Sequence, residues 1–176
     1  MFNKGIKLSE EEIAESERNI EHLIQKMSYR MAVLYRMKER GRIVLGNLIN
    51  SEILNFNNKN QKVDKFSMTY TLNITGTFDA KIYLNLEPEA ALHITDLLFK
   101  QYMDVNPKDW SEQAMKEILN IFSGHLVTFF DEYGYTLDIG VPSDTDHDFI
   151  KSKPRRKILF RFKSDNHIIQ FIIEID

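Results

Sequence analysis

Two pairs of alternating segments constrain the fold more than any other feature of the sequence. Apolar and polar residues alternate through 66–74 and again through 78–86, with a glycine between the two runs. The second pair occupies 157–163 and 168–175, and its members are joined by the turn-forming residues Ser164, Asp165 and Asn166. Alternation with a period of two is typical of half-buried strands. Because each connection is short, both pairs are predicted to be antiparallel.

Two helices are predicted between these strand pairs. The first opens at Pro88 and ends before Pro107, with a buried side formed by Leu92, Leu97, Leu98 and Tyr102. The second runs from Trp110 to Tyr133, with a core face formed by Met115, Ile118, Phe122, Leu126, Phe129 and Tyr133. A strand with Leu137, Ile139 and Val141 on one side then ends at Pro142. Since no crossover helix separates the members of either strand pair, the predicted class is α+β, with a largely antiparallel sheet and the helices packed on one face.

The N-terminal part of the chain is predicted to start with a further amphipathic helix. Ser9 and Glu12 form a capping box, and an apolar seam follows at Ile13, Ile20, Ile24, Met27, Met31 and Leu34. This seam has two interpretations, packing on its own domain or pairing with the same helix of a second chain. Basic residues cluster at Arg30, Arg36, Lys38, Arg40 and Arg42, as is typical of a helix C-terminus, which is predicted over Gly41 to Gly46.

The polar run at 57–62 is the best candidate for a domain boundary. It predicts an N-terminal helical extension over 1–60 and a main domain over 61–176. The periodicity of residues 42–56 does not decide between a short helix and a strand.

Composition excludes several classes of function. The chain has 176 residues, 43% of them hydrophobic, with a net charge of -3, so nothing indicates a nucleic-acid partner. The absence of cysteine removes disulfides, thiolate catalysis and zinc–thiolate sites. The acidic N-terminal region and the lack of a long apolar run predict a cytoplasmic protein with no membrane insertion.

No metal site is predicted. Residues 144–148 imitate the start of a calcium loop, but Phe149 stands where that loop needs glycine and Arg155 where it needs a bidentate glutamate. The five histidines show no metal-ligand spacing.

One side of the Trp110–Tyr133 helix is unusual for a solvated face. Steps of three and four residues align Gln113, Glu117, Asn120, Gly124 and Thr128, which we call the polar line. It contains no Lys or Arg, and it includes an Asn and a Gly, both of which are poor helix formers. The residues alone fit either an ordinary exposed face or a surface that another molecule approaches closely.

Glu117 and Asn120 offer a limited chemistry. Three residues apart on a helix, they project side by side. An ionised carboxylate can hold a cation, and a carboxamide can donate and accept hydrogen bonds at once, so it can hold a water in line for attack. Hydrolysis of a phosphoryl group chiefly needs such orientation when another protein provides the acidic site and magnesium.

The same residues resemble the signature of a known family. Glu117-Ile118-Leu119-Asn120, Gly124, Gly134, Asp138-Ile139 and Pro142 are similar to the helix and following strand of the CheC/CheX/FliY chemotaxis phosphatases, most closely CheX. The resemblance covers roughly residues 66–175 and extends less sharply to Asn73-Ile74-Thr75-Gly76. The family commonly has Asp or Ser four residues before the Glu, where this chain has Gln113.

The resemblance implies a phosphatase that hydrolyses the aspartyl phosphate of a CheY-like response regulator. Asn120 would position the attacking water and Glu117 would pair with a lysine of the regulator, while Gln113, Gly124 and Thr128 would contact the partner. The chain would need no cofactor of its own, because Mg²⁺ belongs to the regulator. A homodimer is expected. The alternatives are an inactive CheX-like binding module and a dimeric scaffold.

Overall fold

A single antiparallel sheet organises the chain. The computed structural model describes residues 36, 39–46, 51–54, 66–99, 106–144 and 156–175. Within these ranges the strands are β1 (Ser51–Leu54), β2 (Met68–Gly76), β3 (Ala80–Leu86), β4 (Leu137–Ile139), β5 (Ser143–Asp144), β6 (Arg156–Ser164) and β7 (His167–Ile175). Their order is β1-β6-β7-β3-β2-β4, with β5 also paired to β2. The two predicted strand pairs, β2–β3 and β6–β7, are confirmed as antiparallel neighbours.

Helices cover one face of this sheet. They are α1 (helical residues 39–46), α2 (Pro88–Phe99) and α3 (Pro107–Asp131). The inward side chains of the central strands meet those of α3 in one apolar core, which includes Leu72, Leu84 and Phe171 from the sheet and Met115, Ile118 and Phe122 from the helix. The predicted α+β class with helices on one sheet face is confirmed.

Residues that are typical of helix termini lie at both ends of α3. The side chain of Asn106 caps the first turn by accepting a hydrogen bond from Lys108 N at 3.3 Å, and Pro107 follows it. Gly134 lies just beyond the last turn with a φ of 79°. The predicted core face is buried from Met115 to Phe129. Tyr133 is only partly buried, and its hydroxyl accepts a hydrogen bond from Arg36 Nη1 at 3.1 Å.

The predicted buried side of α2 is wrong in part. Ala90, Ala91 and Ile94 are the buried apolar residues, whereas Leu97 and Leu98 pack against the core while only partly buried. Leu92 is also only partly buried, and Tyr102 lies outside the described residues. Small alanines on the inner side let α2 approach its neighbours closely, and the larger leucines then lie along the margin of the contact.

Within the segment of ambiguous periodicity, residues 42–46 are helical and residues 51–54 form a strand. The described helix runs to Gly46, within the predicted C-terminal stretch from Gly41 to Gly46, and β1 lies at Ser51–Leu54, paired with β6. Leu45 is fully buried in the main core. The predicted boundary at 60 therefore leaves a strand of the sheet and a core residue on its N-terminal side.

The basic residues of this segment make contacts within the chain. Arg40 pairs with Glu132 of the turn after α3, and Arg42 Nε donates to Glu39 Oε2 at 2.8 Å. The Arg40–Glu132 pair joins α1 to the C-terminal end of α3, whereas the Arg42–Glu39 pair lies within α1. The predicted first helix and its seam lie outside the described residues, and its packing and the homodimer stay predictions.

The strand after α3 is shorter than predicted. β4 ends at Ile139, and Val141 does not continue its inward side, because 87% of Val141 is exposed. Gly140 N donates to Asn73 O at 2.8 Å, which keeps the chain on β2 beyond the end of β4. The alternation was therefore a misleading signal, since Gly140 and Pro142 on either side of Val141 interrupt the strand.

Candidate functional site

The polar line lies on the outer face of α3. Glu117 and Asn120 are both exposed, while Ile118, Leu119 and Phe122 between and beside them are buried. The i, i+3 spacing brings the two side chains together on successive turns. A rigid helix packed on the core therefore presents a carboxylate and a carboxamide side by side to solvent.

Neither of these two side chains has a hydrogen-bond or ion-pair partner in the described part of the chain. The nearest cation along the helix is engaged elsewhere, since Lys116 Nζ lies 2.5 Å from Glu112 Oε1 and 3.6 Å from Asp144 Oδ1. The hydrogen bond to Glu112 is the main cause of the raised pKa of Lys116, and Asp144 adds to it. Lys116 thus stays charged and paired, and Glu117 has no described countercharge of its own.

The remaining members of the polar line lie above and below this pair. Gly124 is one turn beyond Asn120, and a Cβ added there would meet only Ile139 Cδ1, at 4.0 Å. Thr128 is exposed, and its hydroxyl donates to Gly124 O at 2.9 Å. Gln113 is exposed at the other end of the line, about 22 Å from Thr128 along the helix axis. Glu117 and Asn120 thus lie at the centre of the line, with Gln113 one turn before Glu117 and with Gly124 and Thr128 one and two turns beyond Asn120.

The described residues hold no group of three or more His, Asp or Glu side chains suited to a metal ion. Asp144, at the start of the calcium-like run, pairs with Lys116, and residues 145–155 lie outside the described ranges. No described helix has both the length and the apolar character needed to cross a membrane.

Sequence comparison finds little, since no protein-family model and no curated protein matches the chain. Solved structures give a clear answer about the fold. CheX from Desulfovibrio desulfuricans superposes with a TM-score of 0.64 at 18% identity, over 82% of this chain and 99% of that one. The chain has the CheX fold.

The CheX fold also occurs in a complex. The structure of CheX with CheY, BeF3 and Mg²⁺ from Borrelia burgdorferi matches with a TM-score of 0.63 at 20% identity, covering 79% of this chain and 94% of that one. A FliM–SpeE complex from Helicobacter pylori matches more distantly, with a TM-score of 0.52 at 11% identity over 96% and 90% of the two chains. The expected CheC-like architecture is thus confirmed by chemotaxis proteins of the CheX fold.

Two features beside the pair were missed by sequence reasoning. The Lys116–Asp144 contact ties α3 to β5, and no local pattern in the sequence indicates it because the partners are far apart in the chain. The exposure of Val141 could have been predicted, because Val141 lies between Gly140 and Pro142, two residues that interrupt a strand.

Proposed function

We propose that this chain is a phosphatase of the CheX type, which hydrolyses the aspartyl phosphate of a CheY-like response regulator. The observation that carries the proposal is the exposed Glu117 and Asn120 on a helix of the CheX fold, without described intramolecular partners. One position away, Lys116 and Glu112 form an i, i+4 pair, whereas Glu117 and Asn120 form none in the described part of the chain. A pair left open is available to another molecule.

In the proposed reaction Asn120 acts within the regulator's active site. Its carboxamide accepts a hydrogen bond from the attacking water and fixes the water in line with the scissile phosphorus–oxygen bond. A new bond forms between the water oxygen and phosphorus while the bond to the aspartyl oxygen breaks, releasing a carboxylate and inorganic phosphate. The proton of the water passes to the phosphate. Magnesium is held by the regulator and offsets the charge on the phosphoryl oxygens.

Glu117 anchors the complex in this proposal. An exposed carboxylate without its own cation can accept a lysine ammonium of the regulator, and that contact would orient Asn120 one turn away. Gln113 and Thr128, at the two ends of the polar line, would contact the periphery of the partner.

The proposal is tested by following the decay of a phosphorylated CheY-like regulator from the same organism. The regulator is phosphorylated with a small-molecule donor, the donor is removed, and the remaining phosphoryl group is measured with and without this protein. Faster decay in proportion to the protein added supports the phosphatase. An unchanged decay rate at protein concentrations above that of the regulator overturns it.

Gly124 should separate stability from function. Gly124→Ala is expected to stabilise the chain by about 1 kcal/mol, because Ala is the better helix former and the new methyl group meets only Ile139 Cδ1 at an ordinary contact distance. If the regulator approaches this turn closely, the same methyl group should raise the regulator concentration needed for half-maximal decay. Thermal unfolding and decay rates at several regulator concentrations measure the two effects.

His125→Ala is the matched control for this change. His125 is the neighbouring exposed position on α3, and its replacement also raises helix propensity, but it lies off the polar line. Equal decay kinetics for both variants and the wild type would remove Gly124 from the proposed contact surface.

A second candidate is a binding module with the CheX fold that docks on a signalling or flagellar partner without hydrolysing phosphate. The structural likeness to a chain of the FliM–SpeE complex favours it, as does Gln113 at a position where the phosphatases commonly have Asp or Ser. This candidate predicts tight binding to a regulator whose decay rate does not change.

A further inference from the structure

An apolar pair lies beside the polar line, on the segment that follows α3. Ile139 is 38% exposed and Val141 is 87% exposed. Single exposed apolar residues are common on protein surfaces and need no explanation. This pair differs from such residues because it lies close to Asn120, where a partner that reaches Asn120 would also contact it.

Two contacts define how α3 and the following segment run alongside each other. Gly124 lies next to Ile139 Cδ1, and Lys116 Nζ lies 3.6 Å from Asp144 Oδ1. The order of the contacts shows that the two run antiparallel, and between the contacts the helix advances by about 12 Å and the extended chain by about 16 Å. Val141 falls between the two contact points, level with the turn of Asn120.

The backbone around Val141 is held firmly, although the Val141 side chain is exposed. Gly140 N donates to Asn73 O, and Ser143 pairs with Thr71 in the β5–β2 register. Val141 is thus flanked on both sides by residues bonded to β2. An apolar side chain held in solvent by a fixed backbone is prepared for contact, because little conformational freedom is lost when a partner covers it.

The negative charge of Glu117 indicates what kind of partner surface would cover Val141 and Ile139. Glu117 lies on the same face without a described countercharge, and the Lys116 that borders it is paired to Glu112 and Asp144. A complementary surface therefore carries a basic residue opposite Glu117 and apolar side chains opposite Val141 and Ile139.

We propose that Ile139 and Val141 are the apolar anchor that docks the CheY-like regulator beside Asn120. This inference rests on the proposed function and deepens it by dividing the work between two elements. The β4–β5 segment supplies affinity, and α3 supplies the groups that act on the phosphoryl site. A central apolar contact next to a polar pair is the arrangement in which a few residues carry most of the binding energy.

The test uses the full-length chain and a CheY-like regulator from the same organism, activated with beryllofluoride and Mg²⁺. Val141→Glu is expected to weaken binding by about tenfold or more, and Val141→Ala by less. In the decay assay Val141→Glu should raise KM and leave kcat unchanged at saturating regulator. Folding is not at risk, because the side chain is almost wholly exposed.

Ile168→Glu is the matched control. Ile168 is 39% exposed, close to the value for Ile139, but it lies on β7 with its side chain on the sheet face away from α3, since its neighbour Ile169 is buried in the core. It should bind and turn over the regulator as the wild type does.

The outcomes separate the two proposals. Wild-type affinity in Val141→Glu, or a fall in kcat with KM unchanged, would overturn the anchor and leave the phosphatase standing. Acceleration of decay by the wild type together with weakened binding in Val141→Glu alone supports both. A wild type that neither binds the activated regulator nor accelerates its decay overturns the proposed function and the anchor with it.

Discussion

Asn120→Ala is expected to remove most of the acceleration of regulator dephosphorylation and at the same time to make the protein slightly more stable. If the carboxamide positions the attacking water, its loss should lower kcat by about 10²-fold, since small errors in the placement of reacting groups cost that much. Asn120 is exposed and forms no described hydrogen bond, so its removal breaks no stabilising contact. Ala is a better former of a helix interior by about 0.6 kcal/mol.

The decay assay and thermal unfolding of the same samples measure these two effects. Binding of the beryllofluoride-activated regulator should persist in Asn120→Ala, because the Glu117 contact and the apolar pair remain. Asn166→Ala is the control for loss of an exposed Asn, since Asn166 lies in the β6–β7 turn, away from α3. A variant at position 120 that accelerates decay as well as the wild type would contradict the proposed role of its carboxamide.

Gly76→Ala is expected to destabilise the fold by about 3 kcal/mol or more. Gly76 ends β2 with a φ of 135°, a conformation that costs other residues of the order of 1–3 kcal/mol. In addition, a Cβ there would lie 2.3 Å from the carbonyl oxygen of Thr136, a backbone atom. That oxygen already accepts hydrogen bonds from Thr77 N and Thr77 Oγ1, at 2.9 and 3.0 Å. Relieving the clash would break the junction between β2 and the residues that enter β4.

Urea unfolding measures this loss as a lower midpoint. Gly134→Ala is the matched control, because Gly134 also has a positive φ, of 79°, but an added Cβ would meet no atom within 4 Å. It should cost about 1–2 kcal/mol, the cost of the left-handed conformation alone. Equal losses in the two variants would show that the contact with Thr136 contributes nothing.

Local pattern was sufficient for the elements that bury one regular face. The alternation of β2, β3, β6 and β7 and the 3.6-residue spacing of α3 placed these elements to within a few residues. In α3 the apolar spacing identified the buried residues from Met115 to Phe129, and by elimination it also identified the polar line as exposed. The candidate site could be located in the sequence because it lies on the side of α3 opposite the buried apolar face.

The local sequence pattern gave wrong or ambiguous predictions where contacts between distant parts of the chain determine the structure. The α2 helix buries Ala90 and Ala91 rather than its leucines, because close packing against its neighbours favours small side chains. The hydrophobicity of the sequence does not reveal how closely a helix packs. Residues 42–56 have ambiguous periodicity, and β1 is fixed by its pairing with β6, more than 100 residues away. Val141 was placed on an inward strand face, although pairing through Gly140 fixes only its backbone and leaves its side chain outside.

Under the proposed function, turnover depends on Glu117 and Asn120, which contribute nothing to the core. Both side chains project from a helix whose inner face alone maintains the core, so two substitutions can install or erase the pair without disturbing the scaffold. Shape similarity among chains of this architecture is therefore uninformative about turnover. Under the proposed function, a chain with the same sheet and helices should be assigned as a catalyst or as a structural component by the residues at these two positions.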